Sequence, residues 1–216
     1  KALRQVDQRI DLLAKGNQPI LIRGNKGSGK IIAARSLHCL SCSPTAPFVE
    51  SDCKDWSVGT AANILHSLYH SATGVTLFLR NVNMLFSTDF LALRNSWRRI
   101  ASDNFEGRPA LRLVMTLSRR DTELASYQTH WLDEQAEELV LPDLSERSED
   151  RRDLAQFYFG QFAINNYCDL TEAAWRLWET TDVLVNVEQI KKVIQRLTLM
   201  AEDELIGLDE LQSVLE

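Results

Sequence analysis

No apolar run in this chain of 216 residues approaches the roughly 18 to 20 residues that a helix needs to cross a bilayer. His, Asn or Ser interrupts each long uncharged stretch, so a membrane span is excluded. Residues Lys1 to Gln5 carry neither an apolar secretory core nor a small-residue cleavage site. Only four cysteines are present, Cys39, Cys42, Cys53 and Cys168. They are too few and too unevenly spaced for a disulfide scaffold, and they read as reduced thiols of a cytoplasmic protein. Internal repeats and low-complexity linkers are absent too. What is there, 44% apolar and 25% charged residues, suffices for one full hydrophobic core plus a smaller satellite.

The net charge of −6 hides an asymmetry. Residues 1–120 carry 17 Lys/Arg against 8 Asp/Glu, whereas 121–216 carry 7 against 22. Two parts with opposite fields suggest head-to-tail packing or assembly, and the acidic part is repelled by nucleic-acid phosphates.

Leu3, Val6, Ile10 and Leu13 recur at three- and four-residue steps, predicting an amphipathic helix that ends near Gly16-Asn17. The period then changes. Short β-rich runs occur at 19–23, 47–50, 75–79, 111–116 and 139–141, each followed by a helical pattern. That alternation predicts an α/β fold with a parallel sheet flanked by helices. From about Glu146 the β signal fades, and Leu154, Phe157, Phe162, Trp175, Trp178, Val187, Ile190, Ile194 and Leu197 follow helical steps. The expected organisation is an α/β core over 1–155 and a small C-terminal helical subdomain over 156–216.

Between the first strand and the next helix lies Gly24-Asn25-Lys26-Gly27-Ser28-Gly29-Lys30-Ile31. Glycines let backbone N–H groups wrap a phosphate, the helix N-terminus adds a favourable field, and Lys30 can reach terminal phosphates. The residue after the lysine is normally Ser or Thr, whose hydroxyl binds magnesium. Here it is Ile31, so phosphate binding is expected without that metal ligand.

The order of segments resembles the AAA+ central domains of bacterial enhancer-binding transcription regulators, the NtrC-like activators of the alternative sigma factor. The resemblance rests on Pro19-Ile20-Leu21-Ile22-x-Gly24 through His38, on Pro47-Phe48-Val49-x-x-x-Cys53, and on Gly74-Val75-Thr76-Leu77-Phe78-Leu79. It continues through Leu141-Pro142-x-Leu144-x-Glu146-Arg147-x-Glu149-Asp150, and through Asn186-Val187 followed by Ile190-x-x-Val193-Ile194-x-Arg196. The departures from that family are equally specific. Where the family places the Asp-Glu pair that orients magnesium and polarises water, this chain has Arg80-Asn81. The sensor I position falls on Ser118, and the sensor II arginine is replaced by Glu188. The stretch Ser126 to Asp133, where the family has arginines that reach a neighbouring subunit, offers Tyr127 and Asp133 but no Arg. Only 20 residues separate Cys53 from Gly74, and the family's sigma-contacting loop is missing from them.

The resemblance therefore implies a pseudo-ATPase: a regulator's AAA+ domain acting in oligomerisation and in sensing ATP, ADP or cyclic di-GMP. No cofactor is certain. Arg35 is the candidate contact to cyclic di-GMP, by analogy with members of the FleQ and VpsR kind. Implied partners are a second copy, as dimer or higher oligomer, and RNA polymerase holoenzyme, most plausibly the housekeeping form. Promoter DNA would be reached through a helix-turn-helix beyond Glu216, with a receiver-type sensor before Lys1. Two alternatives stay open: a slow ATPase with relocated acids, Asp89 or Glu50, and an adaptor that binds no nucleotide.

Other residue groups carry weaker chemistry. Cys39-x-x-Cys42 is half a metal site or a redox pair, without a second ligand pair. His66 and His70 stand at i, i+4 but lack the metalloprotease acid between them. The tryptophans read as core or interface. Arg94, Arg98, Arg99, Arg108, Arg112, Arg119 and Arg120 form a basic group suited to an anion, to an acidic face of a second copy, or to solvent.

Overall fold

The computed structural model describes residues 2–69, 74–102, 111–119, 124–147, 149–162, 168–181, 183–201 and 203–215, without the side chains of 2, 69 and 99–102. His70, Arg108, Arg120 and the side chain of Arg99 lie outside the described residues. The described chain forms two compact units. The first takes in nearly all of 1–141, and the second is 142–216 together with 26–28. The contacts thus divide at Leu141 and Pro142 rather than at 155 and 156, because Leu144 already belongs to the second core.

In the first unit the order is α1 (Ala2–Ala14), β1 (Ile20–Arg23), α2 (Lys30–Cys39), β2 (Phe48–Asp52), α3 (Thr60–Tyr69), β3 (Val75–Arg80), α4 (Ser87–Ser102), β4 (Leu111–Leu117), α5 (Ser126–Gln135) and β5 (Glu137–Val140). The five strands make one sheet in the order β2-β3-β4-β1-β5, and all described pairings are parallel. Side chains alternate across the strands with a period of two. Leu21, Leu77, Leu79, Leu113, Met115 and Leu117 enter a core with Trp56, Phe90, Trp97 and Trp131. Ile20, Ile22, Phe78, Val114 and Leu139 enter the opposite core with Val6, Ile10 and Leu13 of α1 and Ala33, Ala34 and Leu37 of α2. Both faces are covered, so polar groups that must meet a ligand are left to the strand ends.

Two polar residues are used inside this unit for structure. Arg112, on β4, is 8% exposed. It donates from Nη1 to the Ala14 carbonyl at 2.8 Å and from Nη2 to the Leu13 carbonyl at 2.7 Å, which also accepts from Gly16 N at 3.2 Å, and so holds the end of α1. Burial pulls its guanidinium below the usual arginine range. Arg112 therefore leaves the basic surface group to which sequence assigned it. Asp89, 1% exposed, accepts from the backbone amides of Gly59 at 3.0 Å and Ala61 at 2.7 Å and so caps α3.

The second unit contains α6 (Asp150–Phe162), α7 (Glu172–Thr180), α8 (Val187–Met200) and α9 (Leu208–Leu215). A two-stranded parallel sheet of β6 (Asp169–Leu170) and β7 (Leu205–Ile206) accompanies the four helices of the expected helical subdomain. Two-residue strands are too short to show a period. Trp175 and Trp178 are buried in the core, and their indole N–H groups donate to Asp169 Oδ1 at 3.1 Å and to the Arg151 carbonyl at 3.2 Å. Their role is packing, not base stacking.

The unit boundary also changes the charge argument. With 26–28 in the second unit, the first carries 16 Lys/Arg and 14 Asp/Glu, and the second 8 and 16. The first unit is close to neutral, because six acids of 121–141 belong to it, so the opposing fields largely disappear.

Arg112→Ala is expected to lower stability by about 1–3 kcal/mol, the cost of removing the donor to the Ala14 carbonyl and the second donor to that of Leu13. Arg112→Lys, lacking the planar fork, is expected to restore only part of it; urea unfolding midpoints check both.

Candidate functional site

The glycine loop leaves β1 at the C-terminal edge of the sheet. Gly24 N donates to the Leu117 carbonyl of β4 at 3.2 Å, which ties the loop's start to the sheet. Gly27 and Gly29 have φ of 79° and 98°, a left-handed conformation that costs glycine little. Lys30 begins α2. Its Nζ donates to the carbonyls of Gly24 at 2.6 Å and Asn25 at 2.8 Å, so the ammonium lies over the loop. Ser28 is 9% exposed, and among the described residues its hydroxyl has no hydrogen-bond partner. A buried orphan hydroxyl in a glycine loop at a helix N-terminus suits a phosphate oxygen.

The same residues do not suit magnesium. Ile31 is apolar and 37% exposed, and it presents no oxygen where the metal ligand belongs. At the end of β3, Arg80 donates from Nη1 to Glu50 Oε1 at 3.1 Å and from Nε to Asp52 Oδ2 at 3.2 Å. A second donor, Nη2, meets Asp52 Oδ2 at 2.5 Å. Asn81, with φ 55° and ψ 53°, donates from Nδ2 to Asp52 Oδ1 at 2.7 Å and from its backbone amide to Thr116 Oγ1 at 3.2 Å. Burial raises the Asp52 carboxyl. The hydrogen bonds from Asn81, Arg80 and the Lys54 amide outweigh it and hold the group below the usual carboxylate range. The bond to Asp52 in turn raises Arg80. Among the described residues, no group of three or more His, Cys, Asp or Glu is arranged to hold a metal ion.

Arg35, on α2, is exposed, with Nη2 4.0 Å from Glu50 Oε2 and its guanidinium carbon 6.0 Å from the Phe48 ring centre. Ser118 is half-buried just beyond β4. Of the two acids considered as relocated catalytic groups, Asp89 has both oxygens on backbone amides and Glu50 is paired with Arg80. His38 is buried, and its Nδ1 lies 2.8 Å from Thr76 Oγ1, so it is no partner to the exposed cysteines. His66 is exposed on α3.

Within the second unit, Glu188 on the first turn of α8 lies 3.8 Å from both Lys26 Nζ and Lys192 Nζ. Asn186 caps α8, accepting from Gln189 N at 2.9 Å. A Cβ on Gly27 would lie 2.8 Å from Asn186 Cβ, so glycine is required there by space as well as by φ. Arg147, 7% exposed, donates to the Ser28 carbonyl at 3.4 Å and lies 3.7 Å from Asp150. Sequence singled out the loop, Arg80, Asn81 and Glu188. It missed Asp52, which only the parallel register of β2 against β3 brings to Arg80.

The sheet order, the phosphate loop between β1 and α2, and the following helical unit define an AAA+ domain. The family profile described as the Sigma-54 interaction domain matches residues 1–140, and the chain belongs to that family. It is 24% identical over 230 positions to a Nif-specific regulatory protein of Sinorhizobium fredii, covering 95% of this chain and 39% of the relative. It is also 24% identical over 238 positions to the nitrogen fixation protein VnfA of Azotobacter vinelandii, covering 95% and 44%. The chain thus spans less than half the length of these relatives. In fold it is similar to NtrX from Brucella abortus in complex with ATP, with TM-score 0.78, 19% identity and coverage of 100% of this chain and 56% of that one. The Thermotoga maritima RuvB Holliday junction branch migration motor gives 0.72, 15%, 98% and 68%.

Because Asp52 is depressed in the folded state, its pairing contributes stability at neutral pH that is lost as pH falls below the usual carboxylate range. Urea melts across that acid window are expected to show wild type losing stability more steeply than Asp52→Asn, which has no such group to protonate. Gly27→Ala is expected to cost about 1–3 kcal/mol from strain at positive φ and the close approach of Asn186, read by the same melts.

Proposed function

We propose that this chain is the central AAA+ domain of a bacterial transcription regulator that holds a nucleotide without hydrolysing it. The observation that carries the reading is the pairing of Arg80 with Asp52 and Glu50, at the position where the family places its metal-orienting acid. A guanidinium there engages both of the nearest carboxylates and leaves neither free to bind magnesium or polarise water. Ile31 removes the other metal ligand. Metal and arginine-finger contributions are each worth orders of magnitude in rate, so their joint loss leaves binding as the loop's function.

The nucleotide is a purine nucleotide, ATP or ADP, on Gly27, Ser28, Gly29 and Lys30. When bound it supplies a charged phosphate chain; the loop amides and Lys30 orient it, and the Ser28 hydroxyl gains its missing partner. Cyclic di-GMP is the alternative ligand. The exposed Arg35 guanidinium beside the Phe48 ring is what favours it.

Output passes through assembly with further copies and contact with RNA polymerase holoenzyme. Promoter DNA is read by a helix-turn-helix outside this chain. The match to the Sinorhizobium regulator runs over 230 positions yet takes in 95% of a 216-residue chain, so about 25 positions have no counterpart here. A total shortfall of that size, large enough to include a loop, supports the reading that the sigma-contacting loop, expected between Cys53 and Gly74, is gone. Contact with the housekeeping polymerase follows from that reading.

Calorimetric titration with ATP, ADP and cyclic di-GMP, alongside a phosphate-release assay with magnesium, tests the proposal. Expected are binding of at least one ligand in the presence of a chelator, weakened about tenfold or more by Lys30→Ala (~1.4 kcal/mol), and phosphate release no faster than that variant's. Magnesium-dependent turnover abolished by Lys30→Ala would establish the slow ATPase instead. No binding of any of the three would leave the adaptor.

A further inference from the structure

The helix that starts at the phosphate loop ends in a tight turn carrying two thiols. Leu40 N donates to the Ser36 carbonyl at 3.0 Å and Ser41 N to the His38 carbonyl at 3.1 Å. The Ser41 hydroxyl donates to that same carbonyl at 2.7 Å and accepts from Ser43 N at 3.2 Å. Leu40 itself has φ −90° and ψ 0°, so the chain keeps a helical curl past Cys39. Cys39 ends α2 and Cys42 lies three residues on, just past the 38–41 turn, and both are free and exposed.

A disulfide needs Cβ atoms about 3.5–4.5 Å apart, and only the two residues of a tight turn at an exposed helix end separate the two cysteines. We propose that Cys39 and Cys42 are an oxidisable dithiol that closes to an internal disulfide with a low-molecular-weight disulfide as oxidant. One cysteine thiolate attacks the oxidant, forming a mixed disulfide and releasing one small thiol. The second cysteine attacks the mixed disulfide and releases the other. The two protein thiols lose two protons and two electrons, and the oxidant is reduced to two thiols.

Cys53 provides the contrast. It is 1% exposed, and burial, with Asp52 and Asp89 nearby, pushes its thiol up to about 12, which leaves it inert at neutral pH. The location gives the bridge a consequence. Closing it fixes the far end of the helix that carries Lys30, and Cys42 lies within electrostatic reach of Arg112, which holds the end of α1. The inference does not depend on nucleotide binding.

The test is incubation of the full native chain with oxidised glutathione, alkylation of remaining thiols, and mass mapping. The expected product lacks two hydrogens within the segment holding Cys39 and Cys42, resists alkylation at both, and reverts with dithiothreitol, while Cys53 remains a thiol. Cys39→Ser is expected to accumulate a glutathione adduct on Cys42 that wild type does not. Wild type accumulating that adduct to the same extent as the variant, or cross-linking only between chains, would overturn the proposal.

Discussion

A single guanidinium shared between two carboxylates sets the chemistry of the sheet's C-terminal edge. Glu50 and Asp52 are two residues apart on β2 and point the same way, and the register places Asp52 opposite Arg80. Without Arg80 these acids would repel each other; with it they form one network that includes Asn81. Arg80 is 36% exposed at its side chain and Asp52 14%, so solvent screens the pair and its net contribution to stability is modest, about 1 kcal/mol. Its larger effect is on what the edge can bind. Arg80 engages both carboxylates there, and the phosphate loop beside it presents amides, a lysine and the buried Ser28 hydroxyl.

The interior is built around arginines used as donors rather than as surface charges. Arg112 holds the last carbonyls of α1, and Arg151, 6% exposed, donates to the Thr181 carbonyl at 2.9 Å just after α7. Each supplies N–H groups to carbonyls at or just beyond helix ends. Asp89 does the reverse at the start of α3, its oxygens meeting two amides. These long-range caps explain how helices bordered by short loops keep their limits without conventional Ser or Thr caps at each end.

Much of this was legible in the sequence, and the reasons differ by element. The five main strands were visible because apolar side chains occur in short bounded runs, and the loop because its glycines and lysine are contiguous. Ile31, Ile32 and Leu40 look apolar enough for the core of α2, yet they are 37%, 70% and 52% exposed; Ala33, Ala34, Leu37 and His38 are the buried residues of that helix. The Arg80 cluster required strand register, and the Asp89 cap joins residues 28 and 30 positions apart, so neither leaves a local pattern. Arg112 looked like a surface charge because a strand's run of letters does not reveal which helix end lies over it. The unit boundary at Pro142 was hidden by a polar stretch that, apart from Leu144, offers few core residues.

The anchoring of α1 by a strand in the middle of the sheet has a mechanical side. A tug on that helix is delivered straight to β4, flanked by β1 and β3, and from there to the strand ends where Asn81 and the glycine loop are hydrogen-bonded.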